Sequence, residues 1–213
     1  MIRTLIADDH GILRAGLKHI LHETDDIVVD GEAGDAGETL TQVRTGHWDV
    51  LVLDLSMPGR SGIELIKQIK AEYPRLAILV LSMYKEDIYA VRALKAGASG
   101  YLCKNNAEGQ LVDAIRQVAG GRLFISPSVA ERFTRDTLSG SISDESPHTR
   151  LSDREYQIFL LLVRGHSVTR IASQLNLSVK TVSTHRTSIL GKMGMSSTAE
   201  LVGYAVRREL VEG

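Results

Sequence analysis

Short apolar runs and amphipathic stretches alternate five times over the first 120 residues of the chain. The runs are TLIAD (4–8), IVVDGEA (27–33), DVLVLDL (49–55), LAILVLS (76–82) and SGYLC (99–103). Runs that stay apolar on consecutive positions predict strands covered on both faces. Between them Ile12, Leu13, Leu17, Ile20 and Leu21 recur at helical spacing, then Ile63, Leu65, Ile66 and Ile69, and last Leu111, Ile115 and Val118. Strand-then-helix alternation predicts a parallel sheet with helices on both faces. Asp35…Glu38 and Ser61…Glu64 have the spacing of capping boxes at helix starts.

The pattern then changes. SPSVAERFTRDTL holds one short helix, with Ser128…Glu131 as its cap, and SGSISDESPHTR (139–150) is polar and Ser-rich and carries a proline. Such a stretch buries too little apolar surface to fold alone and reads as a linker. LSDREYQIFLLLV restarts a helix, with Ser152…Glu155 as its capping box, and three more helices are expected at about 168–175, 179–193 and 197–209. No strand pattern returns. The chain therefore divides into an α/β domain over 1–120, a linker with one short helix over 121–150, and a small all-α domain over 151–213.

Composition changes this picture little. The 213 residues are 43% hydrophobic and 24% charged, ordinary for a globular protein that needs no staples. The single cysteine, Cys103, excludes an internal disulfide framework. No apolar run reaches the ~18 residues of a membrane span, and MIRTLIADDHG meets two aspartates too early for a secretory signal. A cytoplasmic protein with no membrane partner is expected. Charge is uneven: residues 151–213 hold eight Lys/Arg against five Asp/Glu, a net +3, and the rest of the chain carries −4. Two domains with different partners fit that asymmetry.

In an open parallel sheet, functional groups gather at the carboxyl ends of the strands. There the first run ends in Asp8 and Asp9, the third in Asp54, the fourth in Ser82, and the fifth leads to Lys104. Converging carboxylates repel one another unless they protonate or find a cation, and oxygen donors beside water suit Mg²⁺. Asp54 can then attack a phosphorus centre as a covalent phosphate carrier. The Lys104 ammonium and the Ser82 hydroxyl can hold the product oxygens.

In the helical part, Ile171, Ala172 and Leu175 share one helical face, and Val182, Ile189 and Met193 line the next helix. Between them NLS makes a tight turn with Ser178 as N-cap. Lys180, Thr181, Ser183, Thr184, Thr187 and Ser188 lie off that line, on the outer surface. Two helices and a short turn fit a helix-turn-helix. Short hydroxyl side chains let such a helix approach bases closely. Lys180 and Lys192 stand where phosphates would pass, Arg186 can reach phosphate or base, and His185 is expected packed and hydrogen-bonded rather than base-reading. From pattern alone a helical dimerisation module with a hydrophilic face stays open.

ADDH, VLDLSMPGRSG, LS at 81–82 and GYLCK at 100–104 resemble the receiver domain of two-component response regulators. LSDRE, IASQLNLSVKTVSTH and ILGKMGM…AEL resemble the LuxR-type DNA-binding domain, so the chain is similar to the NarL/FixJ subfamily from end to end, linker excepted. The resemblance implies a flavodoxin-like sheet of order 2-1-3-4-5 and a four-helix DNA-binding domain. By match Asp54 is the phosphoacceptor, and Asp8, Asp9, Asp54 and the Ser56 backbone carbonyl hold Mg²⁺. Ser82 and Lys104 respond to the phosphoryl group, and Tyr101 is an aromatic switch. The recognition helix is 179–193, with Lys180, Thr181, Ser183, Thr184, Arg186, Thr187 and Lys192 toward DNA. The implied partners are a sensor histidine kinase, a second copy upon phosphorylation, double-stranded DNA with a pseudo-palindromic operator, and RNA polymerase.

Two departures stand out. Asn105 follows the lysine where many receivers carry proline, and a non-proline cis bond there would cost about 3 kcal/mol. Ser183 and Thr187 stand where some relatives carry lysine, which implies less charge in the groove. Tyr84 is expected to shield a phosphoaspartate. An aspartyl phosphatase acting on an external substrate is disfavoured, because Ser56 replaces the second Asp such enzymes need and no cap insertion is visible. The expectation is a transcription regulator, not an enzyme.

Overall fold

The runs 49–55 and 76–82 form the middle of a sheet. β3 (Val50–Asp54) and β4 (Ala77–Ser82) are buried along their whole length. With β1 (Ile2–Ala7), β2 (Ile27–Ala33) and β5 (Gly100–Cys103) they make a five-stranded parallel sheet of order β2-β1-β3-β4-β5. This computed structural model describes residues 1–57, 61–83, 86–138, 146–208 and 210, without the side chains of 86–88, 106, 108, 132 and 135–138. The chain forms two compact units, Met1–Leu138 and Ser139–Gly213.

Strand alternation sends successive side chains to opposite faces. Ile6, Val52, Leu79, Leu81 and Leu102 meet α1 (Gly11–His22) through Leu17 and Leu21, and α5 (Ala107–Ala119) through Leu111, Ala114, Ile115 and Val118. The alternate strand residues Leu5, Leu51, Leu53, Ile78 and Val80 are buried on the other face, which carries α2 (Ala36–Thr45), α3 (Gly62–Glu72) and α4 (Glu86–Lys95). Register decides what gathers at the carboxyl end. Ala7 lies opposite Leu53, Asp54 opposite Leu81, and Ser82 opposite Cys103. Asp8, Asp54, Ser82 and Lys104 therefore arrive at the same edge. Gly62 closes this region tightly, since a Cβ there would lie 2.6 Å from the Leu55 Cα.

The first unit is longer than the 120 residues expected. Phe124 pairs with the outer edge of β5, its carbonyl accepting from the Tyr101 N–H at 2.9 Å and its N–H donating to the Ser99 carbonyl at 3.0 Å. Gly100 permits this, because a Cβ there would lie 2.9 Å from the Phe124 carbonyl oxygen. α6 (Pro127–Leu138) then packs on α4, with Val129 buried. The short helix expected inside the linker is thus part of the α/β unit. Its cap is Ser126 rather than Ser128: Ala130 N–H donates to the Ser126 carbonyl at 3.0 Å, and Pro127 takes the first helical position, where a missing N–H costs nothing. Ser61 is the N-cap of α3 but makes no side-chain cap bond, whereas Asp35 accepts from Glu38 N–H at 2.8 Å.

Of the stretch 139–150, residues 139–145 lie outside the described ones. Pro147–Arg150 forms a 3₁₀ turn that belongs to the second unit: His148 is buried, its Nδ1 2.5 Å from the Tyr204 hydroxyl. The second unit continues as α7 (Asp153–Val163), α8 (Val168–Gln174), α9 (Val179–Met193) and α10 (Thr198–Arg207). Each is N-capped by a serine, Ser152, Ser167, Ser178 and Ser197, whose side chain accepts from the N–H three residues on. Ile171, Ala172, Leu175, Val182, Ile189 and Met193 are all buried, as their spacing required.

Candidate functional site

At the carboxyl edge of the sheet, Asp8 and Asp54 are each 1% exposed. Lys104, in the 3₁₀ turn after β5, spans both: its Nζ lies 2.6 Å from Asp8 Oδ2 and 2.8 Å from Asp54 Oδ2. Burial pushes the Asp54 carboxyl above the usual carboxylate range, against the pull of Lys104 and with the help of Asp8. Burial would lower the Lys104 ammonium, but the charges of Asp54 and Asp8 outweigh it and hold the group above its usual value. One cation thus serves two carboxylates packed out of water, and negative charge remains in excess.

The second oxygen of each carboxylate faces away from Lys104. Asp54 Oδ1 accepts the Ser56 N–H at 3.0 Å, and Asp8 Oδ1 accepts the His10 N–H at 2.8 Å. Arg14 braces the loop from beneath, donating to the Asp8 carbonyl. Asp9 is exposed at the rim, its Oδ1 2.8 Å from His10 Nδ1. Ligand atoms of Asp8, Asp9, His10 and Asp54 all lie within 4.8 Å of one another. This hard-oxygen donor set could hold a divalent metal. Ser82 is fully buried at the end of β4, and Tyr101 is 2% exposed, so its ring lies inside the unit in this conformation. The peptide after Lys104 is trans. Tyr84 lies outside the described residues.

The helical unit has its own polar surface. α8 and α9 join through Leu175–Ser178, where Asn176 takes φ of 51° and Leu177 N–H returns to the Ala172 carbonyl at 2.8 Å. Lys180, Ser183, Thr184, Arg186 and Thr187 project from α9 into solvent, and Thr181 is half-buried. Thr184 donates its hydroxyl to the Lys180 carbonyl at 3.0 Å and Thr187 to the Ser183 carbonyl at 3.2 Å. The outward face therefore presents acceptor lone pairs and methyl groups.

Two expectations on α9 need correction, and a third gains a partner. Lys192 is exposed, as a phosphate contact requires, and its Nζ also pairs with Glu155 Oε2 at 2.6 Å. Ser188 turns inward and donates to Glu155 Oε1 at 2.6 Å. His185 is half-buried, yet no hydrogen bond to it is found among the described residues. The Ser152–Glu155 capping box forms as expected, and Glu155 holds Lys192 and Ser188 besides. That second role carries no local signal, because its partners lie 33 and 37 residues away. Arg154 was also missed; it donates to Gln157 at 2.8 Å and to the Leu175 carbonyl at 3.3 Å, fixing the start of the turn.

Residues 4–116 match the response regulator receiver domain family. Residues 149–205 match the bacterial regulatory proteins of the luxR family. The chain is a two-component response regulator. It is 38% identical over 216 residues to the oxygen regulatory protein NreC of Staphylococcus carnosus (strain TM300), covering 99% of this chain and all of the relative. The structure of RcsB from Salmonella enterica serovar Typhimurium, bound to promoter rprA with phosphomimetic BeF3⁻, matches with a TM-score of 0.65 at 30% identity, over 95% of this chain and 97% of that one. A structure of two RcsB dimers bound to two parallel DNAs matches with a TM-score of 0.58 at 31% identity, over 96% and 98%. This response regulator is a DNA-binding transcription regulator controlled by phosphorylation, and not an enzyme. The aspartyl phosphatase reading falls with that assignment. Among the described residues no helix is long and apolar enough to cross a membrane.

Proposed function

We propose that Asp54 accepts a phosphoryl group from the phosphohistidine of a sensor kinase, and that this event governs how the helical unit engages an operator. The observation that carries the reading is the single Lys104 ammonium, 2.6 Å and 2.8 Å from Asp8 and Asp54. It draws one oxygen from each carboxylate and leaves the opposite oxygens for a cation and an incoming phosphorus. In the transfer, an Asp54 carboxylate oxygen forms the new P–O bond as the donor's P–N bond breaks, and the leaving imidazole nitrogen takes a proton from water. Asp8, Asp9, Asp54 and the Ser56 backbone carbonyl would hold Mg²⁺. Mg²⁺ supplies charge neutralisation between carboxylate and phosphoryl oxygens. Lys104 and Ser82 then hold the oxygens of the phosphoaspartate, whose added charge is about −1.5 to −2. Ser82 lies opposite Cys103, two residues beyond Tyr101, so a shift of its hydroxyl is felt along β5. Tyr101 is the aromatic residue that responds.

The phosphorylated protein acts as a homodimer on a pseudo-palindromic operator, one α9 per half-site about one helical turn apart. Lys180 meets phosphate, Arg186 phosphate or base, and Thr181, Ser183, Thr184 and Thr187 line the groove. Lys192, exposed and paired with Glu155, stands near the end of the helix where phosphate would pass. Such a protein works in the cytoplasm, where RNA polymerase is its downstream partner. The test mixes the protein with Mg²⁺ and acetyl phosphate and records intact mass and elution volume beside Asp54→Ala. One phosphoryl group on the wild type only, with a dimer only in the modified sample, is expected. A mutant that gains the same mass as the wild type would sink the assignment of Asp54.

A further inference from the structure

We propose that His10 is a nitrogen donor of the cation site and tilts its preference toward first-row transition ions. The inference rests on the acidic pocket being a cation site, as above. Lys104 occupies Oδ2 of both Asp8 and Asp54. A cation must therefore approach from the Oδ1 side. His10 stands on that side: its Nδ1 is 3.2 Å from Asp8 Oδ1 and 2.8 Å from Asp9 Oδ1. Its backbone N–H, bonded to the same Asp8 Oδ1 at 2.8 Å, holds the residue against the carboxylate. Donors placed trans across a small divalent ion are roughly 4.2 Å apart. The ligand atoms of Asp8, Asp9, His10 and Asp54 all lie within 4.8 Å of one another, close to that spacing.

The imidazole is 67% exposed, so no close packing fixes it in its present position. Its chemistry differs from that of its neighbours. Three carboxylates suit Mg²⁺, which takes oxygen donors almost without exception. An imidazole adds affinity for Ni²⁺, Co²⁺ and Zn²⁺ and little for Mg²⁺. The sequence ADDH thus places a selectivity element immediately beside the two metal-binding aspartates.

Calorimetric titration of the full chain with Ni²⁺ and separately with Mg²⁺ tests this, using wild type, His10→Ala and, as a control for surface histidines, His47→Ala. The expected result is a loss of roughly tenfold in Ni²⁺ affinity in His10→Ala alone, with Mg²⁺ affinity unchanged in all three. Equal Ni²⁺ affinity in wild type and His10→Ala would overturn the proposal and show the ring to be only a hydrogen-bond donor to the aspartates. A parallel fall in both ions would overturn it too, as a loss of site geometry. If Mg²⁺ binds none of the three proteins, the cation-site reading itself fails, and the role of His10 with it.

Discussion

Lys104 and Glu155 solve the same problem in opposite ways. Lys104 is one buried cation between two buried carboxylates, and Glu155 is one buried carboxylate among several donors. Lys104→Met leaves Asp8 and Asp54 facing each other without a counter-charge. In metal-free buffer the loss of stability should be about 3–5 kcal/mol, the scale for breaking a buried pair. Denaturant unfolding with and without Mg²⁺ checks this, since the cation should recover part of the loss in the variant. An equal loss in both buffers would show that the two aspartates do not share one charge balance. For Glu155, burial opposes ionisation, but Lys192, Ser188 and the Ser152 cap outweigh it and hold the carboxyl down to about 2 from a usual 4.5. A depressed carboxyl contributes stability that is present above pH 4.5 and lost as pH falls toward 2. Wild type should therefore exceed Glu155→Gln in unfolding midpoint at pH 6, and the gap should narrow by pH 3. Asp54 was legible in the sequence not by itself, since a lone acid at a strand end often caps a helix or forms a turn, but because Asp8, Asp9, Ser82 and Lys104 stand at or just beyond the ends of other strands. The pairing of Lys192 with Glu155 was not legible, because Lys192 stands on α9 and its partner on α7.

At the scale of elements, α9 carries two faces with separate tasks. Val182, Ile189 and Met193 anchor it, and Lys180, Ser183, Thr184, Arg186 and Thr187 stay in solvent. Replacing Lys180 with Ala should weaken binding to all DNA sequences alike and lower the salt slope of log K by about one, because one phosphate contact is lost. Replacing Arg186 with Ala separates the two roles open to it. A cost of about 1–3 kcal/mol confined to the cognate operator would mark a base contact, and a uniform loss with a reduced salt slope a phosphate contact. Competition binding over a salt series reads both. The periodic elements were legible because apolar spacing reports which face is covered. The end of the first unit was not. The Phe124 bridge uses backbone atoms, and α6 finds its cover on α4, so neither leaves a pattern in the residues near position 120.

For the whole molecule, the proposed phosphoacceptor Asp54 and the proposed recognition helix α9 sit in different units, so coupling between them would run through populations of states. If phosphorylation raises operator affinity, the operator must favour the phosphorylated form by the same factor, commonly 5- to 150-fold. The measurement is operator Kd with and without acetyl phosphate, set against the phosphorylated fraction at equilibrium with and without saturating operator. Unequal factors would mean that the two events are not linked through one pair of states. Asp54→Ala should remove the dependence in both directions.

The order of strands and helices, the two-part division, the acidic set at the strand ends and the two faces of α9 were determined by the sequence itself. Each follows from local periodicity or from residue types at element ends. Only the tertiary structure decided that Lys104 bridges Asp8 and Asp54, that Lys192 and Ser188 belong to Glu155, that Phe124 and α6 complete the first unit, and that His10 faces the open side of the aspartates. The physical reason is common to all four. Each depends on the distance between groups far apart in the chain, or on the direction a side chain takes, and apolar spacing along a sequence encodes neither.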